Sequence, residues 1–244
     1  MGRAKDIIVR VIQSKTANAF IKDWHYSGKV VPNSTLHFGA FLDGKLHGVM
    51  SFGPCINKKG TRNLVEDTKW NGFIELNRLA FDEYLPKNSE SRCIAIAIKL
   101  FRRNAPQVKW VISFADACQC GDGAIYRASG FSLVGISKNT SIRINPKTGE
   151  KIHIIQAHHL KIPGKEFRSW KGLVGYQLKY VYLIDKTCKI TVPILPFSAI
   201  DEAGARMYNG KRPGSEIVSR PAFQQGSGGA NPTSGLKETA VLDG

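Results

Sequence analysis

Residues 109–131, KWVISFADACQCGDGAIYRASGF, constrain the fold of this chain more than any other stretch. Trp110, Val111, Ile112 and Phe114 form a nearly continuous apolar run, as a strand covered on both faces requires. The run ends at Asp116, a carboxylate at the strand's C-terminal tip, where open α/β sheets place ligands. Gly121-Asp122-Gly123 then allows a sharp turn, with Asp122 or Gly123 capping a short helix, AIYRAS. Gly130 stops that helix ahead of a further strand, FSLVGIS.

The preceding half supplies matching elements. Ile7 to Gln13 alternates as a first strand, and Ser14 is placed to cap a helix whose Ala17, Phe20, Ile21 and Trp24 recur at helical spacing. That helix runs out at His25-Tyr26-Ser27-Gly28. LHFGAFLD and KLHGVMSFG flank Asp43-Gly44, the strongest hairpin signal in the chain, and His37 and His47 read as ordinary strand residues. Residues 55–71 read as a polar loop. FIELNRLAF is the next strand, and simple alternation puts Glu75, Asn77 and Leu79 on one side. A turn follows, with Ser89 or Ser91 near the start of the helix containing CIAIAIKLFRRN. YQLKYVYLI is the last strand. The order is strand, helix, hairpin, strand, helix, strand, helix, strand.

Charge narrows the partners. The net charge is +16, and residues 220–244 contribute nothing to it: Arg220 and Lys237 balance Glu238 and Asp243. The excess therefore lies on the part expected to fold, residues 1–219, and points to nucleic acid. Residues 138–175 form a basic insertion before the last strand, with eight Lys or Arg against Glu150 and Glu166 (8 − 2 = 6). Arg143, Lys151, Lys165 and Arg168, with Trp170 interleaved, are the expected DNA contacts, combining phosphate neutralisation with stacking. His153, His158 and His159 have no cysteine or carboxylate spaced to complete a metal site. The five cysteines lack C-x-x-C spacing, so a disulfide framework is not expected. No apolar run reaches the roughly 18 residues of a membrane span. Residues 220–244, rich in Gly, Ser and Pro, read as a disordered tail.

The order of elements, and Tyr126-Arg-Ala-Ser-Gly130-Phe131 in particular, resembles the GNAT superfamily of N-acetyltransferases. The resemblance implies an α+β (α/β) fold: a central, mixed, mostly antiparallel twisted sheet flanked by helices. In that superfamily a turn of the form Q/R-x-x-G-x-G/A holds the pyrophosphate of coenzyme A; here Arg92-Cys-Ile-Ala95-Ile-Ala97 carries alanines instead. More narrowly, His25-Tyr26-Ser27-Gly28, Glu75-Leu-Asn-Arg78-Leu79, Pro86 to Arg92, Phe114-Ala-Asp116, Gly123-Ala-Ile-Tyr126 and Leu195-Pro-Phe-Ser198 resemble the Mom family of phage DNA-modification proteins. That implies conversion of adenine in DNA to N6-carbamoylmethyladenine, protection against host restriction, and action in the host cytoplasm. By the same resemblance His25, Asp116 and Tyr126 are catalytic, Arg78, Ser91 and Arg92 bind the donor, and iron is an option with His25 and Asp116 as two ligands.

Each role has a plain alternative. Asp116 could cap the next turn, His25 could be a cation at a helix C-terminus, Tyr126 could be packing, and Arg78 could be half of an ion pair. Adenine N6 is a poor nucleophile and must lose a proton as its new bond forms, which is work for a carboxylate or histidine. The donor is open among acetyl-coenzyme A or another thioester, free glycine and glycyl-tRNA. Access to N6 implies extrusion of the base, with Tyr26 as the stacking residue. Two other classes remain open: an acetyl-coenzyme A-dependent N-acetyltransferase acting on a small molecule or protein amine, and a non-catalytic DNA-binding module.

Overall fold

The computed structural model describes residues 3–117 and 121–205. The expected tail, 220–244, and the end of the 1–219 unit lie outside them. Seven strands form the main sheet: β1 (Ile8–Val11), β2 (Leu36–Leu42), β3 (Lys45–Gly53), β4 (Phe73–Phe81), β5 (Trp110–Asp116), β6 (Ser132–Lys138) and β9 (Tyr176–Leu183). Their order across it is β1-β2-β3-β4-β5-β9-β6. Only β4 and β5 pair in parallel, so the sheet is mixed and mostly antiparallel, as expected.

Local chemistry accounts for most boundaries. Asp43 and Gly44, with φ of 53° and 75°, make the tight turn between β2 and β3. Helix α1 (Ser14–Trp24) buries Ala17, Phe20 and Ile21. Its N-cap is Gln13, without a side-chain bond, so Ser14 is the first helical residue rather than the cap. The stretch 55–71 is more ordered than its polarity suggests: it holds α2 (Lys58–Thr61) and a 3₁₀ turn at Arg62–Leu64. Here Asn57 caps α2 by accepting from the Gly60 amide, and Val65 is buried. Helix α3 (Ser89–Asn104) drives Cys93, Ile94, Ala97, Ile98 and Phe101 into the core. Helix α4 (Ala124–Ala128) starts at Gly123, whose φ of +70° and closeness to the Tyr180 ring exclude a side chain. Asp122 supports the same turn by accepting from the Ala124 amide at 3.1 Å. A short α7 (Ser198–Glu202) follows the sheet and buries Ile200.

Two departures from regular pairing shape the site. The β4–β5 ladder runs from Phe73↔Trp110 to Leu76↔Ser113 and stops, so Asn77–Phe81 and Phe114–Asp116 are not paired with each other. On the other side of β4, Ser51 opposes Arg78 while Phe52 opposes Leu76, leaving Asn77 as an extra, bulged residue. Simple alternation therefore fails along β4. Before the bulge, Ile74 and Leu76 pack toward α3; after it, Leu79 and Phe81 do, while Ala80 packs under α1. Arg78 thereby shares a face with Glu75, which period-2 alternation would forbid.

The insertion is a small body rather than a plain solvated hairpin. It comprises a ribbon, β7 (Ile142–Ile144) with β8 (Lys151–His153), followed by α5 (Ile154–His159) and α6 (Gly164–Ser169). Ile152, Ala157, Phe167 and Trp170 form its own core. Trp170 is 8 % exposed with its ring 5.6 Å from Phe167, so the aromatics interleaved with cations are core residues, and the expectation of a stacking Trp170 is corrected.

Candidate active site

The unpaired ends of β4 and β5 form a gap with a helix-lined side on each face of the sheet. On the α1 face lie Glu75 and Arg78 from β4 and Asp116 from the tip of β5, the last in phase with Trp110 and Ile112 of that face's core. Arg78 is held by its surroundings: Nε donates to the Lys29 carbonyl at 2.9 Å, and Nη1 donates to the Asn77 carbonyl at 2.8 Å. Burial pulls the pKa of its guanidinium down, opposed by the negative charges of Glu75 and Asp116 and by the phenols of Tyr26 and Tyr126. Three of the expected residues, Arg78, Asp116 and Tyr126, thus share one electrostatic environment with Tyr26. Burial also raises the Glu75 carboxyl, against hydrogen bonds from Cys55 and Asn77 and the charge of Arg78.

His25 joins this group in a role other than a helix-end cation. It is 8 % exposed, and burial, aided by the Arg78 charge, lowers its pKa to about 3. The imidazole is therefore neutral near pH 7. Its Nδ1 accepts from the Ser27 amide at 3.2 Å and lies 2.8 Å from the Ser27 hydroxyl, which places the ring proton on Nε2. His25 is thus a hydrogen-bond donor at Nε2 and a weak base. Beside it, Tyr26 is 44 % exposed, with its ring 4.2 Å from the imidazole. The left-handed Gly28, φ +58°, closes this turn by donating to the His25 carbonyl at 2.8 Å.

These features do not fit the iron option. A metal-bound imidazole presents one bare nitrogen and donates from the other; here Nδ1 is taken by a backbone amide and Nε2 carries the proton. Among the described residues no three His, Cys, Asp or Glu side chains gather as a metal set.

Sequence reading missed His153. It stands at the end of β8, caps α5 by accepting from the Ile155 amide at 3.2 Å, and feels the charges of both Asp116 and Arg78. Burial is the main cause of its lowered pKa. The signal was hidden because His153 is 37 residues from Asp116 in sequence (153 − 116) and only folding of the insertion brings them together.

On the α3 face lies a cleft of about 550 Å³, lined by Ala4, Pro86 to Asn88, Ser91, Arg92, Ala95, Ala128 and Ser129. Ser91 and Arg92 meet here, whereas Arg78 is on the opposite face. The helix begins at Ser89, with Asn88 at φ 67° as N-cap, so Arg92 to Ala97 lie inside α3, and the turn that precedes it is Pro86 to Asn88. Ala97 is fully buried, and only Ala95 of the two alanines faces the cleft. Tyr126 belongs to this side, packed against Tyr180 and Phe131 at ring distances of 5.2 and 5.4 Å, while its phenol acts on Arg78 across the gap.

The expected DNA contacts divide. Lys165 and Arg168 are exposed on α6. Arg143 is engaged within the insertion, donating to the Trp170 carbonyl at 2.6 Å and lying 5.9 Å from the Phe167 ring. Lys151 is half-buried, next to His153 on β8. Among the described residues no helix is long and apolar enough to cross a membrane.

The chain thus carries a mixed, mostly antiparallel α/β sheet split between two parallel strands, with a cleft lined by Lys87 and Arg92 on one face and Arg78, Asp116 and His153 within electrostatic reach of one another on the other. The chain belongs to the Mom protein family, whose family model matches residues 6–199. It is 37 % identical over 163 residues to the methylcarbamoylase mom of Escherichia phage Mu, covering 66 % of each protein, a little under two thirds of the relative's length. Solved structures similar to it include an N-acetyltransferase from Staphylococcus aureus Mu50, with 13 % identity, TM-score 0.45, and 73 % of this chain and 99 % of that one covered. Another is a ribosomal-protein-alanine N-acetyltransferase from Brucella melitensis, with 15 % identity, TM-score 0.43, and coverage of 72 % and 99 %.

Proposed function

We propose that this chain is a transferase that converts adenine in DNA to N6-carbamoylmethyladenine and so shields phage DNA from host restriction. The observation that carries the reading is the two-sided gap: Arg78 and Asp116 act on His153 of the basic insertion, Ser91 and Arg92 line the opposite cleft, and the Tyr126 phenol acts on Arg78 across the gap. Membership of the Mom family and likeness to a methylcarbamoylase support the same chemistry. In this reading the extruded adenine enters from the insertion side, with exposed Tyr26 stacking on it. The donor lies in the 550 Å³ cleft with its carbonyl reaching the gap. Asp116 accepts the N6 proton as the bond forms, Arg78 stabilises charge developing on the carbonyl oxygen, and Tyr126 protonates the leaving group. His25, neutral and donating from Nε2, orients the acceptor rather than taking its proton.

A glycyl donor balances this chemistry without redox. Attack by N6 on the glycyl carbonyl forms an amide and expels the carrier, whether thioester or tRNA. The free glycyl amine then attacks purine C6 through a five-membered ring, loses a proton, and expels the original N6, which takes up a proton as the carboxamide nitrogen. Glycine labelled with heavy nitrogen places its label in the link to the purine on this route; label found in the terminal amide excludes it.

The reading is tested by endonuclease challenge. Plasmid from cells expressing the wild-type chain resists enzymes whose sites contain adenine, and plasmid made with Asp116→Ala is cut normally. Equal cutting of both plasmids contradicts the proposal, and acetylation of an added amine in the same extract favours an ordinary N-acetyltransferase.

A further inference from the structure

The insertion has a core separate from that of the sheet, and it leaves and rejoins the sheet at one neck, where Lys138 opposes Tyr176 and the Asn139 amide donates to the Gly175 carbonyl. A body joined by one such neck can swing unless something else holds it. Lys29, just past the His25–Gly28 turn, supplies a hold. Its Nζ donates to Glu150 Oε1 at 3.0 Å, to Gln156 Oε1 at 2.7 Å and to the Lys151 carbonyl at 3.3 Å. The same residue's carbonyl accepts from Arg78 Nε at 2.9 Å. One residue thus grips the insertion with its side chain and the site guanidinium with its main chain. Gln156 lies in α5, the helix capped by His153, so the grip holds the helix whose cap feels the charges of Asp116 and Arg78.

We infer that Lys29 is a positioning residue that latches the basic insertion over the active site, so that docking DNA on the insertion and aligning His153 and Arg78 are one event. The inference rests on the function proposed above only for what the insertion presents; the latch itself is a property of the folded chain. A lysine suits the task because an ammonium has three donors, and three acceptors from the insertion meet it.

Hydrogen exchange on the free, full-length protein tests the latch without DNA or donor. In Lys29→Met, amides of residues 142–173 exchange about tenfold faster, while those of β2 and β3 keep their wild-type rates. Lys29→Arg restores most of the protection. If Lys29→Met loosens the sheet as well, the double variant Glu150→Gln with Gln156→Met, which leaves the main chain at Lys29 intact, gives the answer. It too speeds exchange in the insertion alone. Wild-type exchange rates in the double variant, or in Lys29→Met, overturn the inference. On DNA, Lys29→Met lowers kcat as well as raising KM, whereas removal of a surface phosphate contact would raise KM alone. A wild-type protein that leaves adenine unmodified would sink the proposed function while the exchange result still decides the latch.

Discussion

Arg78 is fixed by two backbone carbonyls before any substrate arrives, and that preorganisation is what a group stabilising transient charge needs. Lysine at this position keeps the charge but not the planar fork, so Arg78→Lys lowers the rate of adenine modification by about 100-fold or more, with the fold intact by circular dichroism. His25 makes a prediction about stability. Its folded pKa, about 3, lies below the ordinary 6.5, so the unfolded chain takes up a proton that the folded chain refuses. The contribution is therefore full above the ordinary pKa and is lost as pH falls through it toward the folded value. Between pH 7 and pH 5 the wild type loses about 2 kcal/mol more than His25→Gln, measured by urea unfolding at both pH values. The motif around His25 and the acid at a strand tip were legible in the sequence. The neutrality of His25 was not, because it depends on burial and on the Arg78 charge that only folding brings near it.

At the scale of elements, strand and helix periodicity located nearly every piece of the sheet, and Asp43-Gly44 fixed its hairpin. The β4 bulge left no such mark, since an extra residue in one strand is defined by the partner it opposes. The cost of disturbing it falls on Gly53, opposite Glu75. A Cβ there would meet the Asn33 carbonyl at 2.3 Å and the Asn77 side chain at 2.8 Å. Gly53→Ala therefore destabilises the protein by about 2 kcal/mol in urea and displaces the bulge that turns Arg78 into the site, so activity falls further than stability alone explains. The start of α3 was placed correctly near Ser89, whereas the left-handed conformation in which Asn88 enters it is not announced by composition.

Across the whole molecule, the net charge of +16 and its concentration in the insertion were visible at once, but the roles of individual residues there were not. Phe167, Trp170 and Arg143 hold the insertion together, and Lys165 and Arg168 remain at its surface. Neutralising the latter two, as Lys165→Gln and Arg168→Gln, reduces the slope of log affinity for DNA against log salt by about 0.9 for each phosphate no longer neutralised. Fluorescence anisotropy on labelled duplexes measures this. In the reaction we propose, the two faces of the split sheet join a donor carbonyl to adenine in DNA. Mass spectrometry of nucleosides digested from plasmid DNA reads out that reaction without an intermediate step. Plasmid made with the wild-type chain yields a deoxyadenosine bearing –CH2–CO–NH2 in place of one amino hydrogen, and plasmid made with Asp116→Ala does not; a digest holding the same nucleosides with and without the protein refutes the proposed reaction.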